Sequence, residues 1–210
     1  MHFSPDQLPV EARYKLLTGA VIPRPIAVIS TLSPEGVCNA APFSYFNIVG
    51  HAPMALSFAV AGPKPDGSLK DTLRNANPPA QGGTGEFVVN IATEHYARKM
   101  TQTARPLPAE ESEFTLTGLV PVPSVVVRPP RIQQAPVAFE CRTLQVVAVG
   151  RSCLVIGEVV QLHFADGLVD ERYRIDFEQL RAVGRMAGSR YARTTDTFVL
   201  DDEAFFPGNR

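Results

Sequence analysis

Residues 22–49 read IPRPIAVISTLSPEGVCNAAPFSYFNIV, a stretch that predicts strand, turn, strand and then a short polar corner between two apolar runs. Segment 26–31 is β-branched, and Ser33-Pro34-Glu35-Gly36 supplies a turn with proline second and glycine fourth, so a hairpin follows. The return strand, 37–40, carries Asn39 and runs into Ala41, Pro42, Phe43 and Ser44, where small residues keep the backbone accessible and proline removes an amide donor. The corner offers a carboxamide and a hydroxyl without formal charge. That chemistry suits a neutral, flat, hydrogen-bonding ring better than a metal ion or a bare phosphate. The alternative is a barrel hairpin whose polar groups satisfy only their own turns.

Upstream, segment 9–18 predicts a short helix opened by Pro9, with a Glu11–Lys15 pair, a Val10, Tyr14, Leu17 face and a stop at Gly19. Pro23-Arg24-Pro25 forces an extended entry, which holds Arg24 at a strand mouth to meet either an anion or a carboxylate of a neighbouring loop. Downstream, 45–49 and 54–60 read as strands around a turn that carries a surface His51. A Pro- and Gly-rich loop, 61–68, delivers Lys70, Asp71 and Thr72 to a helix start capped by Asp71 or Thr72. Lys70 there is either a phosphate cradle or an exposed lysine at a cap.

NPPAQGGTG, 77–85, reads as a flexible connection, and the missing Gly-Lys-Ser/Thr excludes a phosphate loop. Segment 86–91 is a strand, Thr93 caps a helix over 94–104 with His95 and Lys99 on one side, and the acidic LPAEESEF, 107–114, forms a solvated helical turn. Segments 137–149 and 153–164, joined at Gly150 and Arg151, have the length and β-branching of a hairpin in a barrel or folded sheet. One helical turn at 177–180 precedes a second small, basic, glycine-spaced corner, VGRMAGSRY, 183–191.

The 210 residues are 45% hydrophobic and 20% charged, enough for a core that needs neither disulfides nor a structural metal. A net charge of −1 spread along the chain leaves no nucleic-acid footprint. Three separated cysteines, Cys38, Cys141 and Cys153, suit a reducing compartment, and the N-terminus lacks a signal-peptide pattern, so the expected location is the cytoplasm, off the membrane. No repeat or second core is evident, and residues 1–210 are expected to form a single domain.

Taken in order, PRPIAVIST, NAAPFSYFNIV, LKDTLRN, GEFVVNI, SEF, PRI with AFEC, VIGEVV and VGRMAGSRY resemble the flavin reductase-like family of FMN-binding split barrels, in particular its flavoredoxin-like branch. The resemblance implies a mainly β fold, a six-stranded antiparallel split β-barrel with peripheral helices, acting as a homodimer that binds FMN near the subunit interface. It implies electron transfer from NADH or NADPH to flavin, often to feed a partner oxygenase, or a carrier role between electron-transfer proteins. By position, Ser30 and Thr31 border the flavin; Asn39, Ala41, Phe43 and Ser44 line its ring and ribityl chain. Lys70, Asp71 and Thr72 lie nearby, and Arg185 and Tyr191 complete the site. Two departures stand out: Ile29 and its neighbours lack the tryptophan of many relatives, and Gly82 to Gly85 looks long for the family's link.

A flavin performs hydride transfer without a protein nucleophile, so no catalytic side chain is expected. HExxH, GxSxG and zinc-ligand spacings are absent from the sequence, and His2, His51, His95 and His163 are scattered. With no GxGxxG after a strand, NADH or NADPH is expected to dock transiently against the exposed flavin face. Arg185 is the candidate cation for the negative charge of the reduced ring. The rivals are an FMN carrier without turnover and a barrel without cofactor.

Overall fold

The computed structural model describes residues 1–199, and the expected domain over 1–210 extends beyond them. In chain order the elements are α1 (Val10–Ala20), β1 (Arg24–Pro25), β2 (Ala27–Leu32), β3 (Cys38–Phe43), β4 (Phe46–His51), β5 (Met54–Ala61), α2 (Asp71–Ala76), β6 (Glu86–Ile91), α3 (Ala97–Gln102), α4 (Glu113–Thr117), β7 (Pro121–Val122), β8 (Arg131–Ile132), β9 (Val137–Val149), β10 (Ser152–Phe164), α5 (Phe177–Leu180), β11 (Val183–Arg185) and β12 (Tyr191–Arg193). Seven strands form one antiparallel sheet, ordered β3-β2-β6-β9-β10-β5-β4, beside small sheets β1-β11-β12 and β7-β8. Phe43 of β3 and Phe58 of β5 bring their ring centroids to 5.0 Å where no ladder joins the two strands, so side-chain packing closes the barrel at its split. The mainly β split barrel is as expected, but the sheet has seven strands instead of six. The additional strand is β4, which pairs with β5 outside the closure.

The period-two pattern of the 26–32 run explains its place in the middle of the fold. Ala27 and Ile29 point into the barrel with Phe58, Phe87, Val89 and Val155. Ile26 and Val28 face a second cluster with Tyr96, Met100, Phe114 and Ile132, which covers the outside. Because both faces of β2 are buried, its first half reads as a continuous apolar run, and Val28 and Ile29 each contribute about 1.5–3 kcal/mol on burial. At Gly157, a Cβ would lie 2.3 Å from Phe87 Cζ, so β10 has no room for a side chain where the Phe87 ring crosses it. The β9–β10 register shifts at that glycine.

Buried polar groups tie the coverings to the sheet. Asn90 donates to Val28 O (3.0 Å) and Ser30 Oγ (3.1 Å) and accepts from Ile132 N (2.8 Å), while Ser30 Oγ donates to Pro130 O (2.5 Å). Glu140, fully buried on β9, accepts from the amides of Val125 (2.7 Å), Val126 (2.6 Å) and Val127 (3.0 Å), and its Oε1 lies 2.6 Å from His163 Nε2. Burial alone would raise this carboxyl, but the amide donors and His163 hold it below its ordinary value.

Several local expectations are corrected. Helix α1 passes through Gly19 to Ala20 and meets its stop at Arg24, whose Nη1 donates to Thr18 O (2.7 Å) and Val21 O (2.5 Å). Arg24 thus spends Nη1 on the last carbonyls of a helix, and it pairs with no carboxylate among the described residues. The expected helix over 94–104 divides into a 3-10 turn, Glu94–Tyr96, and α3, and Thr93 makes no side-chain cap. Segment 77–85 is packed: Thr84 N and Oγ1 lie 2.8 and 3.0 Å from Asn75 O, and Gly85 N donates to Asn77 O (2.8 Å). The acidic cluster is only partly solvated, since Glu113 is 6% exposed. The Glu11–Lys15 pair forms as expected, at 2.8 Å. No helix of the described residues is long and apolar enough to cross a membrane.

Candidate functional site

Strand β3 is an edge of the sheet, paired with β2 through Pro42 and Phe43, so its outer side, where Pro42 has no amide to donate, is open to a ligand. Two adjoining clefts use this wall and share Pro42 and Ala104. The first, about 460 Å³, takes Asn39, Ala41 and Phe43 from β3, and Lys70, Asp71 and Thr72 from the start of α2. Lys64, Arg105 and Glu113 complete its charge. The second, about 360 Å³, gathers Ser44, Arg185 and Tyr191 with Tyr14, Arg24 and Met100.

Hydrogen bonds set the wall of the first cleft. Asn39 Nδ2 donates to Thr31 Oγ1 (3.2 Å) and Thr72 Oγ1 (2.9 Å), and Asn75 Nδ2 donates to Thr31 Oγ1 (3.0 Å). These bonds fasten the β2–β3 hairpin to α2. The expected cap is corrected here: Lys70 is the N-cap residue and no side chain caps α2, because Thr72 is engaged by Asn39 and Asp71 by cations. Lys64 Nζ lies 2.7 Å from Asp71 Oδ2, and Arg74 Nη2 lies 3.0 Å from Oδ1 as an ion pair without hydrogen-bond alignment. Lys70 makes no ion pair among the described residues. Helix α2 has only six residues, so attraction for an anion rests on the lysines and little on a helix dipole.

Glu113 enters from α4, where Ser112 Oγ accepts the Phe114 amide as the N-cap. Its Oε2 accepts from Ala40 N (2.9 Å), in the middle of the β3 wall. Desolvation raises its carboxyl above the ordinary value, and the nearby Asp71 adds to the rise. In the second cleft the Arg185 guanidinium stands 4.7 Å from the Tyr191 ring centroid and donates to the Tyr191 hydroxyl and Gly188 O. Arg24 closes the floor, donating to Ser44 Oγ (3.4 Å) and Met186 O (3.3 Å).

Of the residues expected at the site, six line the first cleft and three the second. Ser30 and Thr31 line neither: both are fully buried behind the wall, Ser30 holding the Pro130 carbonyl and Thr31 holding Asn39 and Asn75. Sequence reasoning missed Lys64, Arg105 and Glu113. For Glu113 a signal existed, because Ser112 followed by Phe114 and Leu119 marks a capped helix with an inward face. The described residues contain no group of three or more His, Cys, Asp or Glu placed to hold a metal.

Residues 18–181 match the flavin reductase like domain. The chain belongs to that family. A Halalkalibacterium halodurans relative is 41% identical over 207 residues, 96% of each chain. The crystal structure of nitrilotriacetate monooxygenase component B from Bacillus cereus superposes with a TM-score of 0.88 at 38% identity, covering 95% of this chain and 98% of that one. That of the Pseudomonas fluorescens 2-nitrobenzoate 2-nitroreductase NbaA gives 0.86 at 34%, over the whole of both chains. This family member is therefore similar along nearly its whole length to oxidoreductases of two kinds.

Proposed function

We propose that this flavin reductase-like protein is an FMN-binding oxidoreductase that takes electrons from NADH or NADPH and supplies reduced flavin, or electrons, to a partner oxygenase or electron-transfer protein. The observation that carries the reading is the pair of clefts on the open wall of β3, with Lys70, which has no ion pair among the described residues, in the first and Arg185 in the second. This donor set fits FMN. Lys70 and Lys64 supply cations for a phosphate, Asn39 and Thr72 offer neutral polar groups, and Phe43 offers an aromatic face to a flat ring. When bound, FMN supplies hydride acceptance and onward electron donation. The chain's own work is orientation and charge: Arg185 favours negative charge in the ring's pyrimidine portion, and the open clefts leave room for a nicotinamide to approach.

The component B relationship favours delivery to a partner oxygenase, whereas the nitroreductase relationship favours direct reduction of a nitroaromatic acid. One anaerobic experiment separates the readings. FMN-loaded protein is titrated with NADH, then NADPH, and afterwards offered free FMN or 2-nitrobenzoate. Steady turnover with free FMN supports the reductase, turnover with 2-nitrobenzoate the nitroreductase. A single reduction without turnover supports the carrier. Failure of both nicotinamides to bleach the flavin removes the reading.

The same proposal includes a homodimer. Ile48 (74% exposed) and Val49 on the outer strand β4, with Val10, Tyr14 and Leu17 along one face of α1, leave apolar surface and a sheet edge to cover.

A further inference from the structure

Glu113 is the least explained group in the first cleft. It is 94% shielded by its own residue accessibility of 6%, yet it faces a cleft that also holds Lys64, Lys70 and Arg105 and makes an ion pair with none of them. Its described hydrogen bond to another residue is the one Oε2 accepts from Ala40 N at 2.9 Å. No hydrogen bond of Oε1 to another described residue is present, and Glu113 lines the cleft. A carboxylate there cannot sit against a phosphate without repulsion, and Asp71, held by Lys64 and Arg74, already answers the positive side of the cleft. A sugar-alcohol hydroxyl is different: it donates readily to a carboxylate, and a charged acceptor makes that bond stronger than a neutral one.

Resting on the FMN reading above, we propose that Glu113 determines flavin specificity by accepting a hydrogen bond from a hydroxyl of the ribityl chain, so that the cleft selects the polyol and not the ring alone. The selection follows from burial. A flavin without the chain leaves a desolvated carboxylate oxygen unpaired, and a site built to bond a hydroxyl rejects the analogue that lacks it. The Ala40 amide orients the acceptor, and Asp71, Lys64, Lys70 and Arg105 are the charged groups that share the cleft with it. The rise in the Glu113 carboxyl agrees with a poorly solvated acceptor waiting for a donor.

The test measures dissociation constants of FMN, riboflavin and lumiflavin, which lacks the ribityl chain, by quenching of flavin fluorescence. Wild type is compared with Glu113→Gln and Glu113→Ala, and melting temperatures are taken in parallel. Glu113→Ala is expected to weaken FMN and riboflavin alike, by roughly tenfold to a hundredfold for a lost charged hydrogen bond, and to leave lumiflavin unchanged. Glu113→Gln, which can still accept from Ala40 N and pair with a hydroxyl, is expected to lose less. Equal losses for all three flavins would mean that Glu113 only supports the β3 wall, and a loss confined to FMN would mean a phosphate contact; either overturns the inference. Wild-type protein that binds none of the three overturns the FMN reading and this inference with it.

Discussion

Lys70 shows what one side chain can decide. In the sequence its neighbour Asp71 could have neutralised it, but Asp71 instead takes Lys64 and Arg74. A lysine at the cleft without an ion pair among the described residues is available to a phosphate. Lys70→Ala is expected to weaken FMN binding roughly tenfold to a hundredfold, the range of a charged hydrogen bond, while riboflavin loses little. Titration of both flavins checks this, and equal losses would make the lysine a structural residue. At this scale legibility divided sharply. Asn39, Ala41 and Phe43 were expected at the site through the family resemblance, and they line the first cleft. Arg24 could not be placed, since its partners are main-chain carbonyls, which every residue carries and no sequence singles out.

Among elements, the two hairpins were legible because β-branched runs flanked by turn residues have few alternatives; β9 pairs with β10 over nearly the expected span, whereas β3 continues through the expected corner to Phe43. The docking of α4 was not. Whether Glu113 of LPAEESEF faces water or β3 depends on where the helix lands, which local pattern leaves open. Glu140 links elements in the same manner, holding three amides of the 125–127 segment against β9. Glu140→Gln replaces one acceptor oxygen with a donor and leaves at least one of the three amides without its acceptor, a loss of about 1–3 kcal/mol. At about 2–4 °C per kcal/mol for a chain of this size, melting should fall by several degrees at neutral pH. The folded carboxyl lies below its ordinary value, so its stabilisation is present above the unfolded pKa of about 4.3 and disappears as pH falls through the folded value. The gap between wild type and Glu140→Gln should therefore narrow in acid, and thermal melts across pH would reveal a constant gap if the carboxylate charge were irrelevant.

For the whole molecule, the closure of the barrel and the fate of its outer strand are linked to assembly. Fold class was legible from the abundance of short strands, proline and glycine, while the sheet order β3-β2-β6-β9-β10-β5-β4 was not, because long-range pairing depends on faces that only meet in three dimensions. If β4 and α1 are covered by a second copy, light scattering at micromolar concentration should give twice the chain mass, and Ile48→Asp should return it to the mass of one chain. A wild-type protein of single-chain mass would exclude the dimer. Phe43 has a further consequence, because the same ring lines the first cleft and packs on Phe58 across the split. Ligand affinity and the rate at which the seam opens to solvent then draw on one contact. FMN should slow deuterium uptake at the amides of β5 beside Phe58, far more than at β9, and tight binding with no such protection would show that occupancy and breathing are uncoupled.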